Sequence, residues 1–476
     1  MKGDSSMSYA IIRGLAMAIA TTPLLIACGG GKASDPGTIN APQCSGSSCG
    51  VQGPPSTGAA AAPLCPATAD IGKTTFLGGA GSGEVVQLNI NATAMTYTLK
   101  WLESPIPLRT GQVTPTRAGT QITGAVIHPP TGALPTAEQI RCAFILGAGT
   151  GTAAGDGQPY TTPDFVNNPN PPMILVGQGV AGGGIPGATV QFSGLNLGLL
   201  GSNVGAVPNR HFDFYPFLGF ASTTTDITKL PGTYNGLLYH LTPSGNYATV
   251  ATNTVETFDA SGTCTSSNAA NPNYSPNAGG CLTTGDPLTL NSNGYFDSQK
   301  APQIVAQFKL PVLGPTGKSG VAHMILGQVN GATVPLVVRT GFVDTSNLLT
   351  AKVDDESGIA MLAAATPLAS GGFDGGYVGA DSNFKYTATL IQGAVGTFIN
   401  PSTSSAESGF GLGYGLPSPG LVGVQDTNGK TGFAIASGGL YAIAIQGAEN
   451  GGLTPTSANS DTPNAPYFGI GAQISK

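Results

Sequence analysis

Glycine and proline interrupt this chain so often that long helices are excluded. The 476 residues include 72 Gly and 37 Pro, close to twice the combined usage of ordinary proteins, roughly 12%. Within a helix each Gly costs about 1 kcal/mol relative to Ala and each Pro about 3. What lies between the breakers is strand-length. From about residue 70, β-branched and aromatic runs recur at 85–91, 94–103, 120–127, 142–146, 173–176, 188–192, 247–258, 304–310, 321–326, 334–339, 384–391, 432–436 and 440–445. Polar–apolar alternation is clear in 247–258 and 385–391, which suits antiparallel sheets with one covered face. Asn-Gly pairs beginning at Asn235, Asn293, Asn330 and Asn428 are expected hairpin turns, because both residues tolerate positive φ. Only 136–141 and 356–364 read as helix. The expected fold is all-β with minor helix, built of antiparallel sheets, sandwich or barrel-like, in more than one β unit.

Charge narrows the function. Lys and Arg number 18 against 24 Asp and Glu, 9% of the chain in all, so no positive field exists to hold phosphates and nucleic acid is not an expected partner. Charge-driven disorder is excluded too. The chain is 40% apolar, with a mean hydropathy of +0.12, enough surface to bury a core.

The N-terminus carries an address. Lys2 and Arg13 precede an apolar run at 14–27 that is too short to span a membrane, and it closes on Leu25-Ile26-Ala27-Cys28. This sequence resembles the lipobox of bacterial lipoproteins, which implies cleavage before Cys28, acylation of its thiol and a lipid anchor in the cell envelope. Gly29 stands where Asp often retains such proteins at the inner membrane, so the resemblance favours the outer membrane. Residues 1–27 are then a signal peptide and 28–69, rich in Pro, Gly and Ala, a flexible tether. Two β domains follow, 70–229 and 230–476. The latter shows a hairpin-like repeat: GTYNGLLY at 232–239 with NYATV at 246–250 against GGFDGGY at 371–377 with NFKYTATL at 383–390, and a fainter copy at 74–79 and 95–101. Breaker-rich stretches at 147–172, 260–300 and 400–419 read as long loops. The composition of the body is also similar to an uncharacterised lipoprotein family of Burkholderia-type bacteria, a domain of unknown function, which implies no activity.

Setting Cys28 aside leaves six cysteines, an even number for an oxidising compartment: Cys44, Cys49, Cys65, Cys142, Cys264 and Cys281. Fifteen pairings exist, and sequence proximity favours Cys44–Cys49 and Cys264–Cys281, which leaves Cys65–Cys142.

Catalytic motifs are sparse. Gly177-Gln-Gly179-Val-Ala-Gly182 matches a dinucleotide fingerprint, but more glycines and Pro186 follow where the phosphate-binding helix must start, so a glycine loop is expected. Gly317-Lys318-Ser319 lacks the first Gly of a phosphate loop, and Ser82 lacks the Gly two residues before it that a nucleophile elbow needs. His128, His211, His240 and His323 have no second ligand at metal-binding spacing, and no metal or cofactor is implied. Asp354-Asp355-Glu356 reads as the acidic first turn of a helix, and Asp374 and Asp381 as turn residues rather than calcium ligands.

Residues 211–220, HFDFYPFLGF, concentrate five aromatics. In an extended chain His211, Asp213 and Tyr215 share one face and Phe212 and Phe214 the other, which makes the first three the candidate ligand-binding residues. The competing reading is a core plug between sheets, and Trp101 is likewise read as packing. The leading functional expectation is a non-enzymatic binding or structural lipoprotein of the envelope. An anchored hydrolase of envelope polymers and a transmembrane β-barrel are the alternatives, and enzymatic activity is left undecided.

Overall fold

The structure, a computed structural model, describes residues 63–134, 136–168, 171–196, 203–204, 206–266, 281–283, 286–298, 301, 320–344, 352–382, 386–399, 405–446 and 466–475. The chain is all-β, and every strand pair among the described residues is antiparallel. Among the described residues the α-helices are two short ones, Thr68–Ile71 and Ala137–Cys142. The second is fixed by a capping box in which Thr136 and Gln139 bond reciprocally.

Eight strands form a first barrel: β1 (Thr75–Ala80), β2 (Glu84–Asn91), β3 (Thr96–Glu103), β4 (Gln121–Ile127), β5 (Ala143–Thr152), β6 (Ile174–Val176), β7 (Val180–Pro186) and β8 (Phe214–Phe220). Each pairs with the next, and β8 returns to β1, the up-and-down closure that removes sheet edges. The expected loop at 147–172 is therefore partly strand. Gly149 belongs to β5 because a Cβ there would lie 2.4 Å from the Tyr97 hydroxyl, so the ring dictates glycine in a strand.

A seven-stranded sheet follows, built from β9 (Gly232–Thr242), β10 (Ala248–Phe258), β11 (Thr289–Leu290), β12 (Phe296–Ser298), β13 (Val321–Val329), β14 (Ala332–Thr340) and β15 (Ser357–Ala364), in the order β10-β9-β15-β14-β13-β12-β11. Both faces are covered. Leu237, Leu336, Val338, Ile359 and Met361 join the core that fills the first barrel, while Leu238, Met324, Val337, Ala360 and Leu362 form a second core with Phe258 and Phe296. This double burial explains why 356–364 imitates a helix: a strand apolar on both faces loses its alternation. It is a strand. Asn235 corrects another expectation, since it sits inside β9 with its Nδ2 donating to Pro419 O (2.7 Å). The Asn330-Gly331 pair does turn the chain, at φ 48° and 79°, between β13 and β14. The expected strand at 304–310 lies outside the described residues.

The second barrel runs β16 (Gly375–Asp381), β17 (Tyr386–Gln392), β18 (Val395–Ile399), β19 (Ala406–Gly413), β20 (Val422–Asp426), β21 (Thr431–Ser437), β22 (Leu440–Ile445) and β23 (Tyr467–Ser475), and closes on itself. A third core draws buried side chains from all eight strands, among them Tyr377, Ile391, Phe398, Phe410, Val424 and Tyr441. A cluster that touches every stave lies inside the barrel. The two stronger repeat copies fall on hairpins, β9–β10 here and β16–β17 in this barrel. Tyr234 and Tyr377, each the third residue of its strand although the repeat aligns Tyr234 with Phe373, both donate to the carbonyl four residues earlier (2.9 and 2.8 Å). The faint third copy is not a hairpin, because β2 lies between β1 and β3.

Close approach of glycines seats the first barrel on the sheet. A Cβ at Gly79 would meet Val338 at 2.4 Å, and one at Gly83, where φ is +81°, would meet Arg339 O at 2.3 Å. The β1–β2 turn thus rests on the end of β14, where Thr340 Oγ1 donates to Gly83 O (2.7 Å).

Candidate functional site

That contact borders a cavity of about 310 Å³ between the first barrel and one end of the central sheet, at the small end of the range for ligand sites, roughly 300–1,000 Å³. Its apolar surface includes Ile106, Pro107, Val190, Val207, Phe212 and Leu241.

Beneath the floor, which Ser82 and Ser104 help to line, lies a buried ion pair. Arg117 meets Glu84 with two parallel bonds, Nε to Oε1 (2.6 Å) and Nη2 to Oε2 (2.5 Å). Ser82 and Ser104 donate to the same carboxylate at 2.6 and 2.5 Å, and both serines line the cavity. Arg117 Nη1 reaches Pro186 O and Gly187 O (3.1 and 3.2 Å), so one guanidinium ties β2, the β3–β4 loop and the end of β7. Its charge lies 4.3 Å from the Trp101 ring centroid and 5.6 Å from that of Tyr215. Burial disfavours this cation, but the attraction of Glu84 outweighs it and the Arg117 pKa is raised.

The sheet supplies the opposite wall. Asp355 faces the cavity, its carboxylate accepting from Ser244 N (2.6 Å) and Ser244 Oγ (2.9 Å). Burial pushes the Asp355 pKa up against those bonds. Beneath, Arg339 forks onto Asp354 (3.0 and 2.8 Å), Asp354 also accepts from Gly320 N (2.6 Å), and His240 Nδ1 lies 2.7 Å from Glu356 Oε1. The expected acidic helix turn is thus a buried charge cluster leading into β15. The sequence does not reveal it, because an acidic triplet looks the same whether solvent or an arginine faces it. On the third side His323 lines the cavity with Nδ1 2.7 Å from Asp297 Oδ1, and Glu103 accepts from Tyr295 Oη (3.0 Å).

The aromatic segment divides. The chain pairs with Thr189–Phe192 over Val207–His211, then enters β8 at Phe214, so residues 211–215 do not form one strand. His211 and Asp213 meet at the surface, Nε2 to Oδ1 at 3.2 Å, each more than half exposed. Tyr215 is buried instead, its ring 5.1 Å from that of Phe212, and both line the cavity with Tyr247, whose ring is 5.6 Å from Phe212. The expected shared face is not formed: of the three candidates only Tyr215 reaches the cavity. Phe214–Phe220 is buried throughout, in the manner of the core plug. Trp101, fully buried, also packs.

Among the described residues two disulfides are formed, Cys65–Cys142 and Cys264–Cys281, each with Cα atoms 5.9 Å apart. Arg141 strengthens the first junction by donating to Pro66 O (2.9 Å) and Cys65 O (3.2 Å). Cys65, Glu138 and Cys142 lie within ligand distance of one another, but the sulfurs are bonded together and offer no thiolate. Asp374 and Asp381 flank opposite ends of β16 and do not converge. The glycine motif at 177–182 forms the turn between β6 and β7. Cys28, Cys44, Cys49 and Gly317-Lys318-Ser319 lie outside the described residues.

Fold and cavity together define a protein of two up-and-down barrels joined by a doubly covered sheet, with a cleft where the first barrel meets that sheet. Residues 96–472 match the family described as a protein of unknown function (DUF2957), and the chain belongs to that family. No curated protein matches it. Among solved structures it is similar to transferrin binding protein B of Haemophilus parasuis: a double mutant at 9% identity, covering 82% of this chain and 65% of that one with a TM-score of 0.15, and a single mutant at 8%, covering 83% and 66% with 0.17. An intact transferrin binding protein B with N and C lobes gives 9%, 83%, 67% and 0.16. The chain thus spans about two thirds of the length of these structures.

Proposed function

We propose that this chain is a non-enzymatic envelope lipoprotein, anchored through Cys28 at the outer membrane, whose β body binds a small, largely apolar molecule in the cleft between the first barrel and the central sheet. The observation that carries the reading is the cleft itself. Its floor and far wall are held by hydrogen-bonded buried charges, so its shape is set before a ligand arrives, and preorganisation of that kind lowers the cost of binding. A Pro-, Gly- and Ala-rich tether between Cys28 and Cys65 would give such a body reach from the bilayer, ending where Cys65 is fastened to Cys142. The second barrel supports a body in water rather than one spanning lipid, because a core with side chains from all eight strands is packed inside it, where a porin-type barrel holds a water-filled channel.

The test is titration with the uncharged dye N-phenylnaphthylamine, followed by fluorescence. One equivalent is expected to bind, and Val207→Trp, which fills the cleft, is expected to weaken it by roughly tenfold or more. Undiminished binding by a folded Val207→Trp variant overturns the assignment of the cleft. Anchoring is tested separately: Cys28→Ser is expected to release the protein from membranes.

A further inference from the structure

We propose that the ligand of the cleft is an apolar molecule carrying a hydroxyl group, and that this hydroxyl donates a hydrogen bond to Nε2 of His323; this deepens the reading above and rests on the cleft being a binding site. The argument starts from the pleat. In β13, Ala322, Met324 and Leu326 belong to the second core, so alternation sends Val321, His323 and Ile325 to the face that meets the first barrel, where Val321 and His323 line the cavity. Around β12 the same alternation puts Phe296 in the second core and Tyr295 in the first, with Asp297 on the barrel side. Asp297 stands directly opposite His323 in the register, and so their side chains meet.

That pairing fixes what the ring offers. Asp297 Oδ1 lies 2.7 Å from His323 Nδ1, while Oδ2 accepts from Asn291 Nδ2 (2.9 Å). A carboxylate only accepts, so Nδ1 carries the proton and Nε2 of the neutral ring carries the lone pair. The Tyr295 ring packs edge-on against the imidazole, at 5.4 Å and 88°, and its own hydroxyl is held by Glu103 (3.0 Å). His323 is only 4% exposed, and its Nε2 has no hydrogen-bond partner among the described residues. Water in the cleft supplies a bond to such an acceptor, and a ligand that displaces the water without replacing the bond loses affinity. An ether or carbonyl brings a second acceptor, and a hydrocarbon brings nothing. A hydroxyl brings the donor, and it costs far less to desolvate against the apolar walls than a charged group does.

Three probes with one body test this on the full-length protein: para-tert-butylphenol, para-tert-butylanisole and para-tert-butyltoluene. Each is followed by displacement of N-phenylnaphthylamine at about pH 8, where an ordinary imidazole is neutral. His323→Phe keeps a ring and removes the nitrogen. It is expected to lower the affinity of the phenol relative to the toluene roughly tenfold, and to leave the toluene within about twofold of its wild-type affinity. Asp297→Asn tests the placement of the proton. Asn291 Nδ2 still needs an acceptor, so the new amide turns its oxygen to Asn291 and its amino group to His323 Nδ1, which moves the ring proton to Nε2. Relative to the phenol, the anisole is then expected to gain about threefold or more over the wild-type ratio, a change that loss of packing does not produce. Melting checks that each variant folds, and either one alone decides. An unchanged phenol-to-toluene ratio in folded His323→Phe shows that the hydroxyl meets another acceptor, such as Glu103, and overturns the proposal. No gain for the anisole in folded Asp297→Asn overturns it too, as does a phenol that fails to displace the dye. Those failures leave dye binding intact, whereas a wild-type protein that does not bind the dye removes the cleft reading and this proposal with it.

Discussion

Glu256 provides a direct test of the balance between burial and charge in this fold. It lies in β10, fully buried, inside the core that contains Phe258 and the Cys264–Cys281 bond. Its Oε2 accepts from Leu282 N (3.2 Å), and Oε1 has no hydrogen-bond partner among the described residues. Burial pushes its pKa from 4.5 up to about 8. Between those values the folded protein holds a proton that the unfolded chain has released, so stability is highest below about pH 4.5 and falls as pH rises toward 8. The slope for one such group is about 1.4 kcal/mol per pH unit, which gives a loss of roughly 3 kcal/mol by pH 7. Glu256→Gln keeps the shape and removes the titration. Urea unfolding followed by far-UV circular dichroism at about pH 5, 6, 7 and 8 should show the variant gaining on the parent by about 1.2–1.3 kcal/mol at each of the first two steps and about 1 kcal/mol at the last, where the folded carboxyl itself begins to titrate. Any fixed cost of the new amide shifts all points equally, and Asp355, which titrates in both proteins, cancels. A difference between the two proteins that stays flat within about 0.5 kcal/mol across that range would show that Glu256 is not a buried neutral carboxyl.

Other perturbations should sort by mechanism. Glu84→Gln, which strands Arg117 in the barrel, is expected to destabilise by about 3–5 kcal/mol, whereas the double variant Glu84→Leu with Arg117→Met should recover most of that loss and still bind the neutral dye less well, because Ser82 and Ser104 lose the group that orients them; thermal melts and titrations separate the two effects. Cys264→Ser with Cys281→Ser opens a bridge between residues 17 apart and should cost roughly 3 kcal/mol, read from urea midpoints. Alkylation without reductant followed by mass spectrometry should find no free thiol, since Cys44 and Cys49 complete an even set in an oxidising compartment.

The sequence made the strands legible because breakers punctuate them. The runs at 85–91, 120–127 and 440–445 lie within one residue of β2, β4 and β22. Barrel closure left no such trace. It depends on β8 returning to β1 across more than 130 residues of chain, and alternation says nothing about which strand a given edge will meet. Alternation misled in one respect. In 247–258 the polar face carries Thr252, Thr254 and Glu256, all buried, so the pattern marks the pleat of the strand and not the presence of water. The aromatic segment takes a geometry that its local pattern does not show: the step from the Val207–His211 ribbon into β8 turns Phe212 and Tyr215 inward and leaves His211 and Asp213 outside. Local pattern holds no information about a handover between sheets.

The charged residues carry the deeper lesson. In a chain so poor in charge, one expects the few carboxylates to serve solubility, yet Glu84, Glu256, Asp354, Asp355, Glu356, Asp381 and Asp426 are all buried. Glu84 with Arg117 ties three parts of the first barrel, and Arg339 with Asp354 ties β14 to the approach of β15 and to Ala301 O (3.2 Å). Both clusters end at the cleft, where Ser82, Ser104, Gly341 and Ser357 form its surface. An apolar replacement of similar volume would often hold such a core equally well, so stability alone does not account for placing them there. What an ion pair adds is direction: forked bonds fix the orientation of a loop, not only its contact. The β3–β4 loop, bridged to itself only at Pro107 and Thr116, and the segment entering β15, paired only over the short ribbon of 352–354 with 342–344, stand outside the barrel and the central sheet, and they are where the buried charges sit.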